Sequence, residues 1–109
     1  MALFGPRLIM NAKSALNEVS DEINPTDLAN INELTYYIVG SAGVASGAIQ
    51  PEEAHVKEYT GTWAPNGSPV TVVALTVKTV KVTGVSMVAR CRISTVLAGG
   101  TVSIWAMGR

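Results

Sequence analysis

The chain has 109 residues, enough for one domain but not for two. Apolar residues make up 48% of it and charged residues only 15%, against roughly 25% in typical soluble domains, so we expect neighbouring molecules to cover part of its surface. The formal net charge is zero, which excludes nucleic-acid binding through a broad basic field.

The first part of the chain is polar and predicts an N-terminal arm, residues 1–34, that is extended or forms short helices. Ser14 caps a helix that runs to residue 22, with apolar side chains at three- and four-residue steps. Asn24-Pro25 ends this helix, because the residue before a proline avoids helical angles. A second short turn follows over residues 28–34. Neither helix is long enough to be stable alone in water, so we expect the arm to lie on a surface.

Two absences bear on where the protein is found. The N-terminus has no basic and then apolar leader with a small-residue cleavage site. No stretch approaches the ~18 consecutive apolar residues of a membrane span. We therefore expect a protein that is made in a cytoplasm, binds no membrane and stays soluble until it assembles.

Strand signals dominate residues 35–109 and predict one antiparallel β-sandwich, jelly-roll-like, with Gly- and Pro-rich turns. Residues 40–47 contain only Gly, Ala, Ser and Val, a composition that permits close approach of the backbone. The Pro-Asn-Gly-Ser-Pro sequence of residues 65–69 is the clearest turn. The predicted strands cover residues 35–39, 53–60, 70–83, 87–94 and 101–107.

Two details of the later strands carry further expectations. The alternation of residues 70–83 slips between Val77 and Val80, which predicts a bulge or bend near Lys78-Thr79. Ala98-Gly99-Gly100 predicts a hairpin that joins the last two strands.

The last strand places a tryptophan and a methionine away from the core. Val102, Ile104 and Ala106 share the predicted inner face, so Trp105 and Met107 lie on the outer face. Both residue types are enriched at the centres of protein interfaces. The alternative is a sandwich edge at which the N-terminal arm covers Trp105, and the sequence leaves both open.

The single cysteine lies between two arginines. One cysteine excludes an intrachain disulfide, and the strand pattern predicts that Cys91 is a small buried hydrophobe. Arg90 and Arg92 share the opposite face of the strand. Residues 75–109 carry five basic residues and no acid, whereas the arm is acidic, so these guanidiniums suit carboxylates of a partner or of the arm. The alternative is a solvated polar face.

No motif for catalysis or for cofactor binding is present. The carboxylates of Glu52, Glu53 and Glu58 flank His55, but in a strand they do not converge on its imidazole. Serine-hydrolase, phosphate-loop and dinucleotide motifs are absent from the sequence. We therefore predict a protein that is not an enzyme, with no catalytic residue, cofactor or metal.

Three segments from the second half of the chain resemble small β-sandwich virion proteins of tailed bacteriophages. They are the Gly61-Thr62-Trp63 strand before its loop, the Arg90-x-Arg92-Ile93 strand, and the Gly99-Gly100-Thr101 turn that pairs this strand with a last strand. The resemblance implies a virion structural protein of the capsid decoration, or cement, type. Such proteins are often trimeric and bind the major capsid protein at the capsid surface.

The same resemblance leaves a second role open, that of a tail, neck or head-fibre module that binds a host receptor or glycan. This role favours an exposed aromatic platform, for which Trp63 beside the 65–69 loop is the candidate. The expected interface residues are Arg90, Arg92, Trp105, Met107 and Trp63. The expected partners are further copies of the chain, as a homotrimer, and the capsid protein, without direct contact to nucleic acid.

Overall fold

A computed structural model describes residues 4–24, 31–83 and 88–109, and every regular element in these ranges is a β-strand. The strands are β1 (Phe4–Lys13), β2 (Glu33–Gly40), β3 (Ser46–Ala54), β4 (Ala64–Pro65), β5 (Val70–Thr71), β6 (Val77–Thr83), β7 (Val88–Ala98) and β8 (Val102–Gly108).

The strands form two antiparallel sheets. Sheet A has the order β1-β8-β2-β6. In sheet B, β3 pairs with β7 along one side and with the short strands β4 and β5 along the other. This confirms the predicted all-β, antiparallel class.

The facing sides of the two sheets share one hydrophobic core. Sheet A supplies Ile38 and Ile104, and sheet B supplies Ile49 and Ile93, all of them fully buried. Burial of each such side chain stabilises the fold by about 1.5–3 kcal/mol. The burial pattern of β8 alternates strictly, which confirms that Val102, Ile104 and Ala106 face the core.

The predicted hairpin at Gly99-Gly100 is wrong, because this turn carries the chain from sheet B to sheet A. Strand β7 pairs with β3, whereas β8 lies between β1 and β2. Gly99 has a φ of 84° and lies so close to Gly43 that a Cβ on either residue would collide with the other's carbonyl oxygen. The glycines thus permit the close backbone approach expected for residues 40–47.

The predicted strands at residues 70–83 and 53–60 also differ from the structure. The strand predicted over residues 70–83 is two strands, β5 of sheet B and β6 of sheet A, with residues 72–76 between them. No bulge occurs at Lys78-Thr79, since β6 pairs with β2 in unbroken register. The alternation slips because Lys78 lies opposite Ile38 on the inner side of an edge strand, where an inward charge discourages edge-to-edge pairing. The strand predicted over residues 53–60 does not form, because β3 ends at Ala54 and a turn follows.

The helical N-terminal arm is not seen. Residues 4–13 form β1, and the predicted helix after Ser14 is wrong because residues 14–24 run along the free side of β7. The backbone N–H groups of Asn17, Ser20 and Ile23 donate to carbonyl oxygens of β7, at 2.8–2.9 Å. A strand edge offers these groups partners that a marginal isolated helix lacks. The predicted turn over 28–34 lies partly outside the described residues, and β2 begins at Glu33.

Candidate assembly surfaces

One buried carboxylate and two arginines form an ion cluster on the outer side of sheet B. Oε1 of Glu52 accepts a hydrogen bond from Nε of Arg90 at 3.1 Å, and Oε2 accepts one from Nε of Arg92 at 2.8 Å. The side chain of Glu52 is 5% exposed, against 16% for Arg90 and 29% for Arg92. With two guanidiniums for one carboxylate, the cluster carries one surplus positive charge.

The tryptophan predicted to be an exposed platform is buried beneath this cluster. The guanidinium carbon of Arg90 lies 4.0 Å from the centre of the Trp63 ring, a cation–π contact. Trp63 is 3% exposed, packs with Ala54 and Val88, and donates from Nε1 to the carbonyl of Tyr59 at 2.8 Å. The expected exposure of Trp63 is therefore wrong, because its ring belongs to a small second core against which Tyr59 also packs.

The cluster fastens three parts of the chain together. Besides its bond to Glu52, Arg92 donates from Nη1 to Oδ1 of Asn17 at 3.0 Å, which joins the N-terminal segment to β7. We expected a carboxylate of a partner or of the arm, whereas the arginines bind Glu52 of β3 in the same chain. Composition alone did not identify it, because Glu52 meets Arg90 only through the β3–β7 register.

Sheet A carries an apolar surface on the side that faces away from the core, over its two central strands β2 and β8. Trp105 lies directly opposite Tyr37, Met107 opposite Thr35, and Ser103 opposite Val39. We call Tyr37, Val39, Trp105 and Met107 the sheet A face; all four are half-buried. The prediction that Trp105 and Met107 lie opposite the core side of β8 is confirmed.

The sheet A face is nearly free of charge. On this side of β2, β6 and β8 the charged residues are Glu33 and Lys81, whose side chains lie 3.9 Å apart. Trp105 is not at a sheet edge, since β8 lies between β1 and β2, and Leu8 of β1 is its neighbour on the other side. The face is therefore an apolar strip on paired strands, and the sequence did not single out its members Tyr37 and Val39.

The remaining candidates for chemistry are dispersed. Cys91 is fully buried, as predicted, and burial raises the pKa of its thiol well above the ordinary value. His55 lies exposed in a turn, with its ring 4.9 Å from that of Tyr59. Within residues 4–24, 31–83 and 88–109 no three His, Cys, Asp or Glu side chains are placed to hold a metal ion. The same ranges contain no helix that is long and apolar enough to cross a membrane.

Comparisons with protein-family models, with curated proteins and with solved structures gave no match. The surfaces described above and the short motifs of the sequence are therefore the features of this protein that bear on its function. Of these surfaces, the sheet A face is the one whose composition suits contact with another protein.

Proposed function

We propose that this protein is a structural component of a virus particle, a capsid cement protein that associates with copies of itself and binds the major capsid protein. The observation that supports this proposal is the sheet A face. It combines Trp105, Tyr37 and Met107 on one side of a four-stranded sheet. The strand motifs that resemble those of phage virion proteins favour the same role. We also propose that the two sheets form a jelly-roll-like β-sandwich, as in those proteins.

The composition of the face favours a protein partner. Trp, Tyr and Met are enriched in the buried centres of interfaces, whereas charged residues are depleted there. The face lies on paired strands, so its side chains are held before contact is made. A preformed surface loses less conformational entropy on binding than a loop that must first become ordered. These properties suit permanent attachment to a shell.

Arg90 and Arg92 have a supporting role in this proposal. Their surplus positive charge is partly exposed and suits a carboxylate at the rim of a partner, although their first task is to hold Glu52. The buried ring of Trp63 makes its cation–π contact with Arg90 and does not contact a partner in this proposal. The host-binding role loses its aromatic platform with the burial of Trp63.

A co-sedimentation experiment tests the proposed attachment. Trp105→Lys places a charge in the middle of the sheet A face, and we expect it to reduce binding to purified shells at least about tenfold, since a central aromatic anchor contributes most of its interface's affinity. Val56→Lys is the matched control, because Val56 is an exposed apolar residue in the 55–58 turn of the other sheet. Equal binding by the two folded variants would contradict docking through this face.

A further inference from the structure

The loop between β4 and β5 contains an Asn-Gly sequence, Asn66-Gly67, the only one in the chain. The short strands on either side of it both pair with β3. Gly67 has a φ of 95°, in the left-handed region that favours glycine. A Cβ at this residue would have no heavy atom within 4 Å apart from those of adjacent residues. The asparagine is thus followed by a glycine whose surroundings are open.

Hydrogen bonds to β3 hold this loop on both sides of the Asn66-Gly67 peptide bond. The N–H of Asn66 donates to the carbonyl of Pro51 at 2.8 Å. The carbonyl of Gly67 accepts a hydrogen bond from Nε2 of Gln50 at 2.9 Å, and the side chain of Gln50 is itself buried. The backbone therefore has a fixed position just before and just after this peptide bond.

Two nitrogens between these anchors have no hydrogen bond to the described part of the chain. The N–H of Gly67 donates to none of the residues in the described ranges. Nδ2 of Asn66 is buried and has no acceptor among the same residues. A buried donor without an acceptor is unfavourable, so the fold does not stabilise this side-chain amide. The anchoring bonds involve neither the backbone nitrogen of Gly67 nor the side chain of Asn66.

We propose that Asn66 is a site of spontaneous deamidation, in which the backbone nitrogen of Gly67 attacks the side-chain amide. A bond forms between this nitrogen and Cγ of Asn66, and the bond from Cγ to Nδ2 breaks. The proton of the Gly67 N–H leaves with Nδ2 as ammonia, and a cyclic imide remains. Water then opens the imide at either carbonyl, which gives aspartate or isoaspartate at residue 66. The reaction needs no reactant besides water.

The residue that follows each asparagine distinguishes Asn66 from the others. A side chain on that residue crowds the attacking nitrogen, whereas glycine has none. The other asparagines precede Ala, Glu, Pro, Ile and Glu, in chain order. Among these, the nitrogen of Pro25 is already fully substituted and has no proton to lose. We therefore expect the reaction at Asn66 alone to be fast.

Deamidation changes both the charge and the path of this loop. Either product adds a negative charge beside β3, where Pro65 lies opposite Glu52. Isoaspartate also places its own Cβ in the backbone, so the chain between the two anchors becomes longer. The hydrogen bonds to Pro51 and from Gln50 fit the shorter path, and we expect isoaspartate to break at least one of them. This modification lies in sheet B, so it goes beyond the proposed function and does not depend on it.

Peptide mapping by mass spectrometry tests the site on the full-length protein. After incubation in warm, mildly alkaline buffer, the peptide with Asn66 should gain the mass difference between an amide and an acid. Gly67→Ala should slow this gain at least about tenfold, equivalent to about 1.4 kcal/mol on the activation barrier. Because alanine is strained at the φ of Gly67, Asn66→Gln gives a second test that keeps the glycine, and it should show no gain.

The controls for this experiment lie in the same chain. Ser68→Ala, an exposed change in the same loop, should deamidate as fast as wild type. The peptides that contain Asn11 and Asn17 should keep their mass over the same time. An unchanged Asn66 peptide, or equal rates at Asn66, Asn11 and Asn17, would overturn the proposal.

Hydrogen exchange tests the expected change in the loop. The isoaspartate form can be separated from the intact protein by ion exchange, because it carries an additional negative charge. Its backbone N–H at residue 66, which donates to Pro51 in the intact protein, should exchange faster. Asn66→Asp adds the same charge without the longer backbone, so it should keep the protection of wild type. Equal protection in all three forms would overturn the inferred loss of the anchoring bonds.

Discussion

The carboxylate of Glu52 on β3 accepts a 2.8 Å hydrogen bond from Arg92 on β7, across the outer side of sheet B. A second guanidinium, that of Arg90, binds the other oxygen of the same carboxylate. A carboxylate that is 5% exposed is stable as an ion only where such donors replace its hydration. The pair therefore joins the central strands of sheet B and keeps Arg90 over Trp63.

Removal of the Glu52 charge should destabilise the fold. We expect Glu52→Gln to lower the free energy of unfolding by about 2–3 kcal/mol, because two partly buried guanidiniums lose their counter-charge. Urea unfolding followed by tryptophan fluorescence measures the change. Glu58→Gln, at an exposed turn, is the control and should lie within about 0.5 kcal/mol of wild type. Equal unfolding curves for the two variants would show that the cluster adds nothing.

The N-terminal segment should behave as part of the core. Ile23 is fully buried and its backbone exchanges two hydrogen bonds with Ala89 of β7. Ile23→Ala should cost about 2–4 kcal/mol of stability through the cavity it leaves. Leu16, in the same segment, is 54% exposed, so Leu16→Ala should cost less than about 0.5 kcal/mol. Thermal denaturation of both variants measures these losses. A negligible loss in Ile23→Ala would show that the segment is a detachable arm and not part of the core.

The error in predicting this segment has a physical cause. Leu16, Val19 and Ile23 recur at three- and four-residue steps, as on one face of a helix, yet only Ile23 is buried. What decides the conformation is the free edge of β7, more than sixty residues away in sequence. A local pattern carries no information about such a distant partner. The strict alternation of β8 was predictable because burial on one side of a strand needs only the period of two.

For the candidate surfaces, too, the sequence predicts residues whose position follows from strand alternation and misses those whose position depends on cross-strand pairing. Trp105 and Met107 were identified from the sequence, since their position on β8 follows from alternation. Glu52 and Tyr37 were not, because both belong to their clusters through cross-strand register. The exposure expected for Trp63 is wrong because a Gly- and Pro-rich neighbourhood suggests exposure, whereas Arg90 and Tyr59 pack against the ring.

Two buried acids should make the fold sensitive to alkaline pH. Burial raises the pKa of the Cys91 thiol above its ordinary 9.0 and that of the Tyr36 phenol above its ordinary 10.0. The unfolded chain therefore releases these protons at lower pH than the folded one. Stability is fully present below about pH 9 and falls as pH rises, and the loss reaches about 1.4 kcal/mol per pH unit for each group once pH is above that group's ordinary pKa.

The thiol contribution can be isolated by substitution. Cys91→Ala removes one titrating group, so between pH 9 and pH 10 its free energy of unfolding should fall by about 1 kcal/mol less than that of wild type, because the unfolded thiol is only partly ionised in this interval. Urea titrations at several pH values measure both slopes. Parallel slopes would mean that the thiol does not ionise differently in the two states. Comparison of slopes removes the constant cost of the smaller side chain.

The proposed cement role makes its clearest prediction on whole particles. A protein that binds assembled subunits and not free ones shifts the equilibrium toward the intact shell. Particles that lack this chain should therefore release their nucleic acid at a lower temperature, and most readily at low salt, where repulsion between packaged phosphates is least screened. Release can be followed with a nucleic-acid dye during heating. Added wild-type protein should restore the release temperature, whereas Trp105→Lys should not.

Depleted particles that match wild type in heat release would contradict the cement role. Stable particles that fail to adsorb to cells would favour the host-binding role instead.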